Sequence, residues 1–180
     1  MIYSPEDKRR ATISPMAFAQ ELEILRSGPT YAFADWPNSE LPKVSAGVYT
    51  IWNKTETFIY VGMAGHGKTA ADLETAAKKN KVTGMRDRLR SHASGLRSGD
   101  QFCIYVADFL VLPNLSIEDI TAIHKREIRM DILVKEYVHQ NLSYRYCLTE
   151  DGAQALALER LLVNGALGNP PFLNPAKSLQ

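Results

Sequence analysis

GVYTIWNKTETFIYVGMAGHGKT, residues 47–69, can be read in two ways. From its left end it is a hairpin. Val48-Tyr49-Thr50-Ile51-Trp52 has the β-branched and aromatic content of a strand, Asn53 to Glu56 is a polar turn, and Thr57 to Val61 returns. Each strand carries a glycine–tyrosine triplet, Gly47-Val48-Tyr49 and Tyr60-Val61-Gly62. From its right end, Gly62 to Thr69 fits G-x-x-x-x-G-K-[ST], the glycine-rich loop that cradles nucleotide phosphates. Gly62 belongs to both patterns, so the remainder of the chain has to choose between them.

Two features disfavour the phosphate-cradling loop. The segment after Thr69, AADLETAAKK, lacks the large apolar residues that would pack on a parallel sheet. The strand before Gly62 pairs most simply with its immediate neighbour, which makes it antiparallel, whereas such a loop follows a strand of a parallel sheet. In its favour, Val106-Ala107-Asp108 ends an apolar run in an acid, as a magnesium-binding aspartate would.

Around the hairpin, the chain reads as one α+β unit. Residues 15–27 predict a helix with Pro15 in its first turn and Gly28 after its end, and residues 29–46 a proline-containing connection. Residues 70–80 predict a polar helix. Residues 84–97 predict a basic one with Met85, Leu89 and Leu96 on its apolar side. FCIYVADFLVL, residues 102–112, predicts a long buried strand and the third strand of the sheet. A helix is expected from Ser116 to about Glu136, a strand over 142–148 and a last helix over 153–164. The fold expected is a small, three-stranded, mostly antiparallel sheet flanked by helices.

Composition sets the broad class. The 180 residues are 45% hydrophobic and 23% charged, which is ordinary for a globular domain with a sizeable core. No apolar run approaches the roughly 20 residues needed to cross a bilayer, and MIYSPEDKRR has no apolar stretch of a secretory signal. Cys103 and Cys147 suit no zinc spacing and read as reduced core residues of a cytoplasmic protein. The net charge is only +1, yet residues 78–99 carry seven basic residues against Asp87, a local charge of +6. That patch suits a phosphate backbone, or is simply a solvated helix face.

Beyond the hairpin, three further features recur in order. Arg88 and His92 are spaced i, i+4 and share a helix face. Glu159 is the one acid within the apolar run ALALERLLV, and Asn174 follows 15 residues later. The ordered set GVY, YVG, R-x-x-x-H, E, N resembles the GIY-YIG nuclease superfamily over about residues 46–175. The histidine after the arginine and the long preceding insert resemble its type II restriction endonuclease members. On this reading residues 1–45 form an N-terminal helix and proline-rich arm, and residues 46–180 the nuclease domain, with inserts near 65–83 and 116–148. Two departures stand out: 27 residues separate Tyr60 from Arg88 where compact members have about ten, and Met63 occupies a position where many members carry lysine.

The resemblance implies a metal-dependent endonuclease acting on DNA, with Tyr49, Tyr60, Arg88, His92, Glu159 and Asn174 at its site and Gly47 and Gly62 as structural glycines. Glu159 would hold Mg²⁺ or Mn²⁺, since Mg²⁺ takes few carboxylates and keeps most of its waters. Its bland alternative is an ion pair with Arg160. Arg88 would hold the phosphate through its planar fork. His92 would accept a tyrosine proton or bond the phosphate. Tyr49 is expected to be the general base and Tyr60 to orient the site. A free phenol has a pKa of about 10, so positive charge from Mg²⁺, Arg88 or an insert lysine would have to lower it. Otherwise both tyrosines are half-buried strand aromatics. Asn174 is expected to position the glutamate or close the site. Lys68, Lys78, Lys79, Lys81, Arg86, Arg90 and Arg97 are the candidate DNA contacts, with Arg86, Arg90 and Arg97 on a shared helix side. Cutting both strands requires a homodimer or two sequential nicks. The alternatives are a nucleotide-binding protein that uses GMAGHGKT and a catalytically inactive DNA-binding module.

Overall fold

The computed structural model describes residues 15–174. The expectations for the first 14 residues and for 175–180 lie outside the described residues. The elements run α1 (Ala19–Ser27), β1 (Tyr31–Ala32), β2 (Ala46–Asn53), β3 (Phe58–Ala64), α2 (Ala70–Lys78), α3 (Met85–Ser94), α4 (Gln101–Val106), α5 (Ile117–His124), α6 (Met130–Asn141), β4 (Leu142–Thr149) and α7 (Gly152–Val163). The four strands form one antiparallel sheet in the order β1-β4-β2-β3.

The hairpin expected from residues 47–61 is β2–β3. Its turn is held by one side chain: Asn53 Oδ1 accepts hydrogen bonds from the Thr55 and Thr57 amides at 3.0 and 2.9 Å. Glu56 completes the reversal with φ 54°, a conformation that costs a non-glycine residue energy and so needs such a brace.

Residues 102–112 are a correction: they form a helix, not the third strand. Asp100 caps it, its side chain accepting from the Phe102 amide, and the helix continues through a π-turn over Ala107–Val111. Phe102, Cys103, Val106, Ala107 and Val111 are buried while Asp108 and Phe109 are exposed. That is a helical stripe, which composition alone could not separate from a buried strand. The sheet's place for a further strand is taken by β4, which pairs with β2 over its whole length from Ala46↔Thr149 to Asn53↔Leu142. Residues 142–148 of the stretch expected as an insert are therefore interior to the sheet. A fourth, two-residue strand, β1, lies in the segment expected to be only a connection.

The helix expected over 116–136 is two helices, α5 and α6. They break across residues 125–129, where Arg126 takes φ 63°. The basic helix is shorter than expected. It ends at Ser94 before a left-handed Gly95, so Leu96 and Arg97 lie beyond it, with Leu96 half-exposed.

Alternation along the strands builds two apolar layers. On one face Tyr49, Ile51, Tyr60 and Tyr144 pack with Met85 and Leu89 of α3, Phe102 and Val106 of α4, and Val134 and Val138 of α6. On the other, Val48, Val61 and Cys147 meet Leu22 and Leu25 of α1 and Leu158 and Leu162 of α7. The N-terminal helix, expected as part of an arm, thus belongs to the core. Both cysteines are free and buried. No helix among the described residues is long and apolar enough to cross a membrane.

Candidate active site

The two triplets of the hairpin meet face to face. Tyr49 on β2 pairs with Gly62 on β3, and a Cβ on Gly62 would collide with the ring and hydroxyl of Tyr49. Gly62 is glycine because the Tyr49 ring lies across it. Gly47 makes the corresponding allowance on the other side of β2, where a side chain would strike the Cys147 carbonyl and approach Met85 Cε at 2.9 Å.

Tyr49 is fully buried, and its ring ends on α3. Its hydroxyl lies 2.6 Å from His92 Nε2. One turn earlier on the same helix, the exposed Arg88 lies beside that hydroxyl, as the i, i+4 spacing requires. Tyr60 lies 6.4 Å from Tyr49 between ring centroids and presents its ring to the His92 edge at 6.0 Å. Phe102 closes the base, 4.5 Å from His92 and 4.9 Å from Tyr60.

Asp100 was not anticipated. Its Oδ2 lies 2.6 Å from His92 Nδ1, and both residues are almost wholly buried. Taking 102–112 as a strand concealed it, because an aspartate before a strand has no reason to face back toward α3, whereas a helix N-cap does. His66 was also missed. It lies on the turn after β3, within electrostatic reach of Glu159. A histidine between Gly65 and Gly67 was the available signal.

Burial raises the Tyr49 hydroxyl well above its usual range, with the nearby Tyr60 adding to it and Arg88 opposing. Tyr60 is raised as well, again by burial first and against the pull of Arg88. Desolvation thus outweighs the Arg88 guanidinium acting on its own. Burial also lowers His92, which is neutral near pH 7 despite its carboxylate partner. At Asp100 burial acts to raise the carboxyl, but the hydrogen bond and charge of His92, then Arg88 and the Phe102 amide, bring it below its ordinary value.

Glu159, on α7, reaches the edge of the sheet beside Met63. Burial raises its carboxyl, against the stabilising influence of Arg88, His66, the Met63 amide and lastly Arg160. Among the described residues no group of three or more His, Cys, Asp or Glu side chains is placed to hold a metal ion, and Glu159 shares the field of Arg88 with Asp100.

Asn174, expected to position the glutamate or close the site, is held on β3. Its side-chain amide pairs with the Val61 backbone in both directions, Nδ2 donating to the carbonyl and Oδ1 accepting from the amide, each at 2.9 Å. With Leu173 N donating to Ile59 O at 2.8 Å, it covers the free edge of β3 on either side of Tyr60.

The basic residues divide. Arg86 donates to the Ser39 carbonyl at 3.2 Å, Arg90 pairs with Asp87, Arg97 pairs with Asp131 at 2.8 Å, and Lys78 pairs with Glu74 at 2.8 Å. Each of the three arginines has a partner within the protein, and Arg97 lies off the helix. Lys68, Lys79 and Lys81 instead line one cleft of about 250 Å³ with Asp72 and Thr83. Tyr49, Tyr60, Arg88, His92 and Glu159 come together at one end of the hairpin. Asn174 braces that end from behind, and Lys68 lies on the adjoining loop. No family model, curated protein or solved structure matches the chain.

Proposed function

We propose that the chain is a metal-dependent endonuclease of the GIY-YIG type that hydrolyses phosphodiester bonds in DNA. The observation that carries this reading is the convergence of Tyr49, Tyr60, Arg88, His92 and Glu159, spread over 111 positions of sequence, around one exposed guanidinium.

The residues fit a hard divalent cation. Glu159 is half-buried and its ionised form is penalised by that burial, a cost that a cation would relieve. A single carboxylate suits Mg²⁺ or Mn²⁺ retaining its waters. The bound ion would supply charge to the phosphate oxygens. Arg88, exposed and next to the tyrosine hydroxyl, would hold a phosphate through its fork and bring the scissile group beside Tyr49.

A buried phenol with a raised pKa is a poor phenolate, so Tyr49 works as a relay. As the attacking water gives a proton to the phenol oxygen, the phenol gives its own proton to His92 Nε2, 2.6 Å away. Tyr60 packs beside this pair and keeps bulk water from it. The cleft of Lys68, Lys79 and Lys81 would contact the DNA backbone next to the site. One chain offers one such site, so a double-strand break takes a homodimer or two nicks. The two free cysteines fit a reducing, cytoplasmic setting.

Geometry also favours this reading over the nucleotide-binding one. β3 is an edge strand in an antiparallel sheet, and the Thr69 hydroxyl, which a phosphate-cradling loop would offer to a metal, is engaged with Asp72 in the cap of α2. An inactive DNA-binding module would have no need of the buried Tyr49–His92 pair.

Supercoiled plasmid incubated with the protein and Mg²⁺ should be nicked. Chelator or Glu159→Ala should abolish the nicking. Nicking that survives either treatment rules out the metal-dependent site, and ATP binding lost on Lys68→Ala would restore the nucleotide-binding reading.

A further inference from the structure

His92 has two ring nitrogens and one close hydrogen-bond partner on each. Nε2 lies 2.6 Å from the Tyr49 hydroxyl and Nδ1 lies 2.6 Å from Asp100 Oδ2. The ring is fully enclosed, so water cannot supply a third partner. The groups facing it come from every neighbouring element: Tyr49 from β2, Tyr60 from β3, Arg88 from its own helix, and Asp100 from the cap of α4, with the Cys103 thiol beside Asp100 Oδ2. Only two of them touch the ring nitrogens, and they differ in kind. A hydroxyl can donate or accept, whereas an ionised carboxylate can only accept. The neutral ring must therefore carry its proton on Nδ1, directed at Asp100. Nε2 is left with a free lone pair, and Tyr49 must donate to it.

From this we propose that Asp100 is the positioning residue of the site: it fixes His92 in the one tautomer that can take the Tyr49 proton, and it balances the charge when that proton arrives. The inference rests on the nuclease reading for its purpose and on this geometry for its content. In the step itself, the O–H bond of Tyr49 breaks and an N–H bond forms at Nε2. The phenol oxygen takes a proton from water, and the resulting hydroxide attacks phosphorus. The imidazolium now has N–H bonds on both sides, one toward Tyr49 and one toward the Asp100 carboxylate; the leaving oxygen departs as the alcohol with a proton from solvent, and His92 then returns its proton to Tyr49, which releases one to solvent. Without Asp100, a neutral ring protonated on Nε2 would donate to Tyr49 and block the transfer.

Helix capping alone does not account for the arrangement. Asp100 uses Oδ1 for the cap, accepting from Phe102 N at 3.1 Å, and reserves Oδ2 for His92. The cap needs one oxygen, and asparagine serves as well. Asp100→Asn therefore keeps the cap and the volume, while its amide can present N–H to Nδ1 and favour the wrong tautomer.

The experiment is ¹⁵N NMR of the His92 ring in full-length wild type, Asp100→Asn and Asp100→Glu, beside plasmid nicking across pH and a thermal melt. The expected result is a wild-type ring protonated on Nδ1, a mixed or reversed tautomer in Asp100→Asn, and about 10³-fold slower nicking with the fold intact. Asp100→Glu should recover part of both signals. A wild-type ring protonated on Nε2 overturns the proposal, as does an Asp100→Asn protein whose tautomer changes while its nicking and pH profile do not. If the wild type cuts no DNA, the nuclease reading falls, and the ring spectra alone then decide whether Asp100 sets the tautomer.

Discussion

Two polar networks are buried on opposite faces of the same sheet. On one face Tyr49, His92 and Asp100 form a chain of hydrogen bonds. On the other, Arg145 of β4 donates to the Thr30 hydroxyl at 2.9 Å, to the Arg26 carbonyl at 2.8 Å and to Glu56 at 2.9 Å, with its guanidinium 4.4 Å from the centre of the Trp52 ring. His92, Asp100 and Arg145 are all buried, although Glu56 and Thr30 at the outer end of the arginine network are exposed, and both networks tie strands to helices or turns. They differ in what can move. Arginine keeps its charge at any pH of interest, so its network has one state and fastens α1, the hairpin turn and β4 together. The histidine chain has exchangeable protons and therefore two states. Burial alone does not mark a functional group; burial combined with a transferable proton, next to an exposed cation, does.

Substitutions should separate the two networks. The largest effect is expected from Tyr49→Phe, which removes the proton and little volume: nicking should fall about 10³-fold, or about 4 kcal/mol in barrier, with a smaller loss of stability, about 1 kcal/mol, from His92 Nε2 left without its donor. An unchanged rate would make both networks structural. Arg145→Leu should do the reverse. It removes the hydrogen bonds that tie Thr30, the Arg26 carbonyl and Glu56 to β4 and costs about 2 kcal/mol of stability in denaturant titration, with nicking per folded molecule unchanged. If that rate drops sharply, the two faces of the sheet are coupled.

Smaller effects follow from proton linkage. His92 is harder to protonate in the folded state than in the unfolded chain. The unfolded state therefore gains protons first as pH falls below about 6.5, and stability declines there. The decline should vanish in His92→Gln and persist in Arg145→Leu, as chemical denaturation between pH 5 and 8 would show. Glu159 has the opposite sign: its carboxyl is raised on folding, so its contribution is fully favourable only below about pH 4.3 and is lost as pH rises. Glu159→Gln should gain stability at pH 7 while losing nicking, the usual trade of a site held for function. If Glu159→Gln melts no higher than wild type, Glu159 is not held against a burial cost.

Local sequence reached some of these features and not others. The hairpin, α7 and the strand at 142–148 were legible because alternation, turn residues and apolar runs agree there. The register of Arg88 and His92 on one helix face was legible from spacing alone. Asp100 was not, because FCIYVADFLVL supports strand and helix equally until its partners are known. The direction of the Tyr49 shift was not legible either, since it depends on full enclosure by α3 and α4, which no local pattern encodes. The fate of Arg86, Arg90 and Arg97 was hidden for the same reason: their partners Asp131 and the Ser39 carbonyl are remote in sequence, and even the near one, Asp87, offers no sign that it is taken.

The covering of β3 by Leu173 and Asn174 has a bearing on how the protein is made. Strand β3 is at the sheet edge, and an open edge invites pairing with other chains. The groups that block it arrive more than 100 residues later. During synthesis the hairpin carrying Tyr49 and Tyr60 would emerge long before its guard. The site can be completed only when residue 174 has cleared the ribosome, and a chain released a few residues short of that point would carry the tyrosines but present a sticky edge in place of a finished site.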